Sequence, residues 1–128
     1  MKVFKFITIV LLMAIPSALL GQSERLLPEI TNALEKGNAA QLSNYFNATI
    51  ELTILDKSGV YSKQQAAKTL ADFFQENTVT EFQLKHEGDK DVVSFAIGNL
   101  ITKKRTFRVY LHIQTTNGQP IIQQLRIE

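Results

Sequence analysis

The sequence predicts an α+β fold, with helices packed on an antiparallel sheet. Three observations carry this. Apolar residues between positions 24 and 76 recur mostly at helical spacing. After Asn77 the period drops to two, the spacing of half-buried strands. Asn117-Gly118 lies between two such runs, where it signals a two-residue type I′ hairpin.

The chain of 128 residues opens on a segment of another kind. Lys2 and Lys5 precede an apolar run from Phe6 to Leu20, broken only by Thr8, Pro16 and Ser17. That layout is a secretory signal peptide, Met1–Gly21, cleaved after Gly21. A spanning helix needs about 20 apolar residues, and Pro16 would disturb its last turns. The expectation is a periplasmic or secreted protein with no stable membrane anchor after cleavage. The sequence contains no cysteine, so it is not a lipoprotein and has no disulfides, thiol chemistry or thiolate zinc site. The net charge of +2 comes from 14 basic and 12 acidic residues. Losing Lys2 and Lys5 brings it to neutrality, which removes any general attraction to nucleic acid. Residues 22–128 then form one domain, large enough to fold on a single core.

Residues 24–36 read as a helix, with Leu26, Leu27, Ile30, Ala33 and Leu34 on one stripe and Gly37 as its left-handed terminator. Asn38 and Gln41 resemble a capping box for a short second helix that buries Ala39, Leu42, Tyr45 and Phe46. Residues 48–55 alternate as a strand, with Ala48, Ile50, Leu52 and Ile54 facing inward. Asp56-Lys57-Ser58-Gly59 is a turn by composition, and Val60-Tyr61 a brief strand. Ser62 and Gln65 form a second capping box, opening a helix to about Glu76 that buries Ala66, Leu70, Phe73 and Phe74. Four strands follow, over 80–86, 92–101, 106–115 and 121–127. Gly88, residues 102–105 and Asn117-Gly118 mark the connections.

The last hairpin permits a register argument. With Asn117 and Gly118 as the loop, Thr116 pairs with Gln119, Tyr110 faces Leu125 and His112 faces Gln123. One sheet face then carries Arg108, Tyr110, His112, Ile121, Leu125 and Ile127. The other carries Phe107, Val109, Leu111, Ile113, Ile122 and Arg126. Both faces are substantially apolar. Helices cover one, so the other is expected to meet a partner subunit, a ligand or more chain.

Several blocks give this order of elements a family character. They are Gly37-Asn38, Tyr61-Ser62-Lys63-Gln64-Gln65-Ala66, Phe73-Phe74, His86-Glu87-Gly88, Ile97-Gly98-Asn99-Leu100, Arg108-Val109-Tyr110 and Gln123-Gln124-Leu125-Arg126-Ile127. Together they resemble the nuclear-transport-factor-2-like (cystatin-like) superfamily, in which a curved antiparallel sheet wraps helices into a cone. More closely, they are similar to a family of exported proteins of Bacteroidota-type bacteria catalogued as a domain of unknown function. The resemblance implies a fold and no particular activity, because this superfamily hosts isomerases, dehydratases and non-catalytic binding modules.

The residues offer no catalytic constellation. There is no Gly-x-Ser-x-Gly elbow, and Ser62 is committed to a cap. An isomerase resembling ketosteroid isomerase needs a carboxylate base inside an apolar cone. Here Glu51 and Glu81 sit on polar strand phases, and Asp56, Asp89 and Asp91 lie in turns. Two histidines without carboxylates at ligand spacing give no metal site, and no cofactor is expected. Lys103, Lys104, Arg105 and Arg108 form a basic cluster, which reads as a solvated hairpin end rather than a site for nucleic acid or acidic glycans.

The candidate ligand-binding residues are Tyr61, His86, Arg108, Tyr110 and Arg126. His86 shares the inward phase of Phe82 and Leu84. Arg108 and Arg126 lie within apolar strands, where a buried guanidinium needs a partner. Tyr110 shares the face of Arg108, and Tyr61 borders the cone mouth. The expected function is a non-enzymatic extracytoplasmic binding or interaction module, a homodimer through its sheet or a partner of an envelope protein. The alternative is a small apolar-ligand binder, with isomerase- or dehydratase-like activity in the cone.

Overall fold

The computed structural model describes residues 26–128. The expected leader, Met1–Gly21, lies outside the described residues, as do Glu24 and Arg25.

Helix α1 spans Pro28–Lys36, starting four residues later than the periodicity predicts. Pro28 takes the first helical position, where its fixed φ suits the helix and its missing N–H costs nothing. Leu26 and Leu27 therefore precede the helix. Leu26 is buried all the same, and its N–H donates to Glu87 Oε1 at 3.2 Å. Gly37 ends the helix at φ +62°. The N–H groups of Gly37 and Asn38 return to the carbonyls of Leu34 and Ala33, a Schellman closure.

Helix α2, Ala39–Ser43, is capped by Asn38 Oδ1, which accepts from the Gln41 N–H at 3.0 Å. The Gln41 side chain reaches the Glu29 carbonyl instead of the cap, so only half of the expected box forms. Tyr45 and Phe46 lie beyond this helix, contrary to expectation, and Phe46 opens strand β1, Phe46–Ile54. Ala48 is exposed there, because pairing is irregular between Phe46 and Glu51 and the inward phase begins at Ile50. The next turn is Leu55-Asp56, earlier than composition suggests. Ile54 pairs with Lys57, and Leu55 takes φ +59°. Strand β2, Lys57–Ser62, thus absorbs the expected turn residues Lys57, Ser58 and Gly59.

Helix α3, Lys63–Glu76, has the predicted extent and buried face, with Ala66, Leu70, Phe73 and Phe74 inside; Ser62 Oγ accepts from the Gln65 N–H, which again is only half of the expected box. Strands β3 (Val79–Lys90), β4 (Val93–Thr102), β5 (Thr106–Thr116) and β6 (Gln119–Ile127) follow. Gly88 is not a connection. It lies inside β3 opposite Phe95, and Asp91-Val92 makes the turn, with Asp91 at φ +57°. A Cβ on Gly88 would come within 2.7 Å of the Phe95 ring, so glycine here lets an aromatic lie across the strand. The expected turn at Asn117-Gly118 forms with both residues at positive φ. At the β4–β5 connection the Thr102 hydroxyl donates to the Arg105 carbonyl at 2.7 Å and accepts from the N–H groups of Lys104 and Arg105.

The sheet order is β2-β1-β6-β5-β4-β3. All neighbours are antiparallel except β1 and β6, which run parallel. The three helices cover one face of this curved sheet. Between them lies the core, in which Leu34, Leu42, Leu70, Leu100, Leu111 and Leu125 are fully buried. Phe73 meets Phe74 and Phe107 edge-on, at 5.8 and 5.1 Å between ring centroids.

Two of the sheet's register shifts decide which way the candidate residues face. In the last hairpin the register shifts after His112, so that Ile113 pairs with Ile122, His112 with Gln124 and Tyr110 with Arg126. One extra residue on β6 reverses the phase beyond it. Leu125 and Ile127 therefore join Phe107, Val109 and Leu111 inside, and Arg126 turns out. The expectation of two apolar faces on this hairpin fails for that reason. In β3 the same happens at Lys85: Leu84 pairs with Gly98, but His86 pairs with Ile97. His86 is thus exposed on the face turned away from the helices, not inward with Phe82.

Candidate functional site

The five candidate residues separate into two places. Four lie on the outer sheet face. His86, Ile97, Tyr110 and Arg126 form one cross-strand row, and Arg108 lies opposite Asn99 in a neighbouring row. His86, Arg108 and Arg126 are exposed and Tyr110 is half-buried. The two arginines therefore do not carry the desolvation that would demand a buried partner. Arg126 pairs with Glu128 at 2.5 Å. It borders a broad, shallow groove with Glu51, Thr53 and Val60, mixed polar and apolar along its length.

Tyr61 is elsewhere. It pairs with Ile50, so its side chain lies on the helix side of the edge strand β2. Its ring crosses Gly59, where a Cβ would stand 3.1 Å away. There it lines a cleft of about 310 Å³ at the open end of the cone, between α3 and the β1–β2 hairpin. Leu52, Ile54 and Phe73 line the cleft on its apolar side. Leu52 and Phe73 belong to the core, so the cleft reaches the packed interior. Thr69, Asn77, Asp56, Asp72, Glu76 and Lys57 supply polar groups.

Behind this mouth the cone is filled. Leu70, Phe74, Phe82, Leu100 and Phe107 occupy the volume where a deep ligand chamber would lie. At the far end a void of about 30 Å³ under Leu26 and Ile30 is large enough for a water molecule and little else. Thr102 is the one buried polar residue among those described, and its hydroxyl is satisfied. Among the described residues no carboxylate or histidine is buried in the packed interior. Nor is any group of three or more His, Asp or Glu among them placed to hold a metal ion.

The helix α3 sequence positions the mouth. Ser62 fixes the start of the helix, and Leu70, Phe73 and Phe74 bury one side. That leaves Thr69, Asp72 and Glu76 along the flank facing the hairpin. Asp72 and Glu76 are four apart and so adjacent on the helix surface. Sequence reasoning misses them because it weighs strand and turn carboxylates. Asp72 also pairs with Lys68 at 3.5 Å, both well exposed. The Tyr61 hydroxyl, Asp56 and Glu76 have no polar partner among the described residues.

One titratable group stands out away from the cleft. Tyr45 donates its hydroxyl to Glu29 Oε1, and this bond to a carboxylate raises its pKa above the ordinary 10.0.

A family model described as a domain of unknown function (DUF4783) matches residues 27–128. Among solved structures, a DUF4783 family protein from Bacteroides fragilis is 34% identical. The match covers 80% of this chain and 97% of that one, with a TM-score of 0.77. One from Bacteroides ovatus is 31% identical, covering 80% and 93%, with a TM-score of 0.76. An NTF2-like protein of unknown function from Cytophaga hutchinsonii shares 10% identity and a TM-score of 0.56 over 78% and 82% of the chains, a likeness of fold alone. Among curated proteins no sequence matches.

Proposed function

Because the chain belongs to the DUF4783 family, built on the nuclear-transport-factor-2-like cone, we propose that it is a non-enzymatic binding module acting outside the cytoplasm through the cone mouth. The observation that carries this reading is the cleft of about 310 Å³, open to solvent yet reaching Leu52 and Phe73. Its size falls within the range of small-molecule sites, and it joins apolar surface to a few polar groups. The packed interior has no titratable group among its described residues, which favours binding at the mouth over acid–base chemistry deep in the cone. The pattern of Met1–Gly21 supports location outside the cytoplasm.

The test is native mass spectrometry of the protein purified from an exporting bacterial host, joined to thermal-shift screening of small amphiphiles. The reading expects a bound species or a stabilising hit. It also expects both to vanish in Thr69→Trp, which fills the cleft. A protein that carries nothing and responds to nothing, in both forms, ends the proposal. N-terminal sequencing of the same material reads the cleavage.

A second reading keeps the homodimer. With Leu125 and Ile127 buried, its support moves to β4, where Val93 and Phe95 are exposed and Ile97 and Ile101 half-exposed. Light scattering at tens of micromolar decides it. A dimer that Phe95→Glu dissociates sustains the reading, and a monomer at every concentration removes it.

A further inference from the structure

The electrostatics of the mouth narrow the ligand class. We infer that the cleft takes a cationic amphiphile, a small molecule with a short apolar part and an ammonium or equivalent positive head. The inference rests on the binding role proposed for this cleft.

Three features point the same way. The first is the balance of charge on the lining: Asp56, Asp72 and Glu76 against Lys57 alone. Asp56 and Glu76 have no ion-pair partner among the described residues. Asp72 is held only by Lys68 on the same helix, a solvent-exposed i, i+4 pair of the kind that exchanges readily. The second is the direction of α3. Glu76 and Asn77 on the lining are the last residue and the C-cap of a 14-residue helix, so its partial negative charge lies at the cleft. Asn77 spends its N–H and its Nδ2 on the same carbonyl, that of Phe73, at 2.9 and 3.0 Å. One Nδ2 hydrogen is left over, so the residue keeps a single neutral donor at the cleft beside the negative end of the helix. The third is the apolar side, where Leu52, Ile54 and Phe73 meet the Tyr61 ring, an aromatic surface of the kind on which cations rest.

The basic residues nearby do not reverse this balance. Lys103 N–H bonds the Thr78 carbonyl, so the β4–β5 loop abuts the end of the cleft without lining it. Arg105 is turned back over the Phe107 ring, 4.4 Å from its centroid.

The test is an NMR titration of the exported, purified protein with three probes of one chain length: hexyltrimethylammonium, hexanol and hexanoate. The ammonium should bind tightest and shift the amides of Tyr61 and Asn77. In the double variant Asp72→Asn, Glu76→Gln its affinity should fall about fivefold, as should the affinity on raising salt, while hexanol is unchanged. Asp91→Asn, in a turn away from the cleft, should change nothing. If hexanol or hexanoate binds the unaltered protein as well as the ammonium, the cationic class is overturned and the mouth stands as a binding site. If none of the three shifts the cleft amides, the binding role of the mouth fails, and this inference with it. Should the double variant misfold, the salt series on unaltered protein separates the same two outcomes.

Discussion

The two faces of the sheet come from the same strands, yet they answer to different rules. On the helix side, Leu100, Leu111, Leu125 and Ile127 are sealed, and each position is fixed by its neighbours. On the outer side, His86, Ile97, Tyr110 and Arg126 form a row with no covering element among the described residues. Which residue lands on which face is set less by composition than by register shifts, among them the single-residue bulges at Lys85 and after His112. A bulge costs little locally and re-aims every side chain beyond it.

Matched truncations on the two faces should separate them most strongly. Leu125→Ala should lose about 2–5 kcal/mol in chemical denaturation, because it opens a cavity in the core. Tyr110→Ala should lose under about 1 kcal/mol, as a surface change. If Leu125→Ala were no worse than Tyr110→Ala, the bulged register of β6 would be wrong.

The next effect concerns two glycines, each lying under a phenylalanine. A Cβ on Gly98 would stand 2.6 Å from both the Phe82 ring and the Gln83 carbonyl oxygen, with Phe82 buried and the backbone unable to yield. Gly98→Ala should cost about 1–3 kcal/mol, an overpacking penalty. The matching contact at Gly88 is the far end of Phe95, an exposed ring free to swing away. Gly88→Ala should therefore stay within about 1 kcal/mol, and equal costs at the two sites would erase the distinction between the faces.

A smaller effect tests whether α3 needs its cap to hold the mouth. Ser62→Ala should cost about 1 kcal/mol and broaden the amide signals of the first helical turn. An unchanged melting curve would mean that the packing of Leu70 and Phe73 alone fixes the helix.

The smallest effect is spectroscopic. The Tyr45 hydroxyl donates to Glu29 only while protonated, and its pKa is raised in the folded state. The contribution is therefore complete below the ordinary tyrosine pKa and disappears as pH rises through the raised value. Ultraviolet titration of phenolate should show Tyr45 ionising above the ordinary 10.0, and Glu29→Gln should lower its midpoint.

Much of this fold is legible in the residues. Strong periodicity finds α3 and the four C-terminal strands, and the local chemistry of Gly37, Asn38, Ser62 and Asn117-Gly118 locates their turns and caps. What fails is phase. A bulge such as Lys85 has no composition of its own, so simple alternation runs straight through it and puts His86 inward. Gly88 reads as a turn because glycine breaks strands as often as it makes room in them. The actual turn, at Asp91, is held by a left-handed residue with a side chain. Of the candidate site, only Tyr61 borders the cleft. Its companions Asp72 and Glu76 read as ordinary solvent-facing helix residues until the hairpin is placed opposite them.

Strand β6 comes last of the six in sequence, yet it is flanked by β1 and β5 in the middle of the sheet. Until Gln119–Ile127 is in place, β1–β2 and β3–β5 share no strand pairing and are linked only through the helices packed on both. Each presents a raw edge ready to pair with another chain. The β1–β6 contact also spans most of the described chain, so it is a late and entropically costly closure. Folding therefore waits on the docking of β6: a chain that lacks Gln119–Ile127 cannot assemble this sheet, however well its other strands pair.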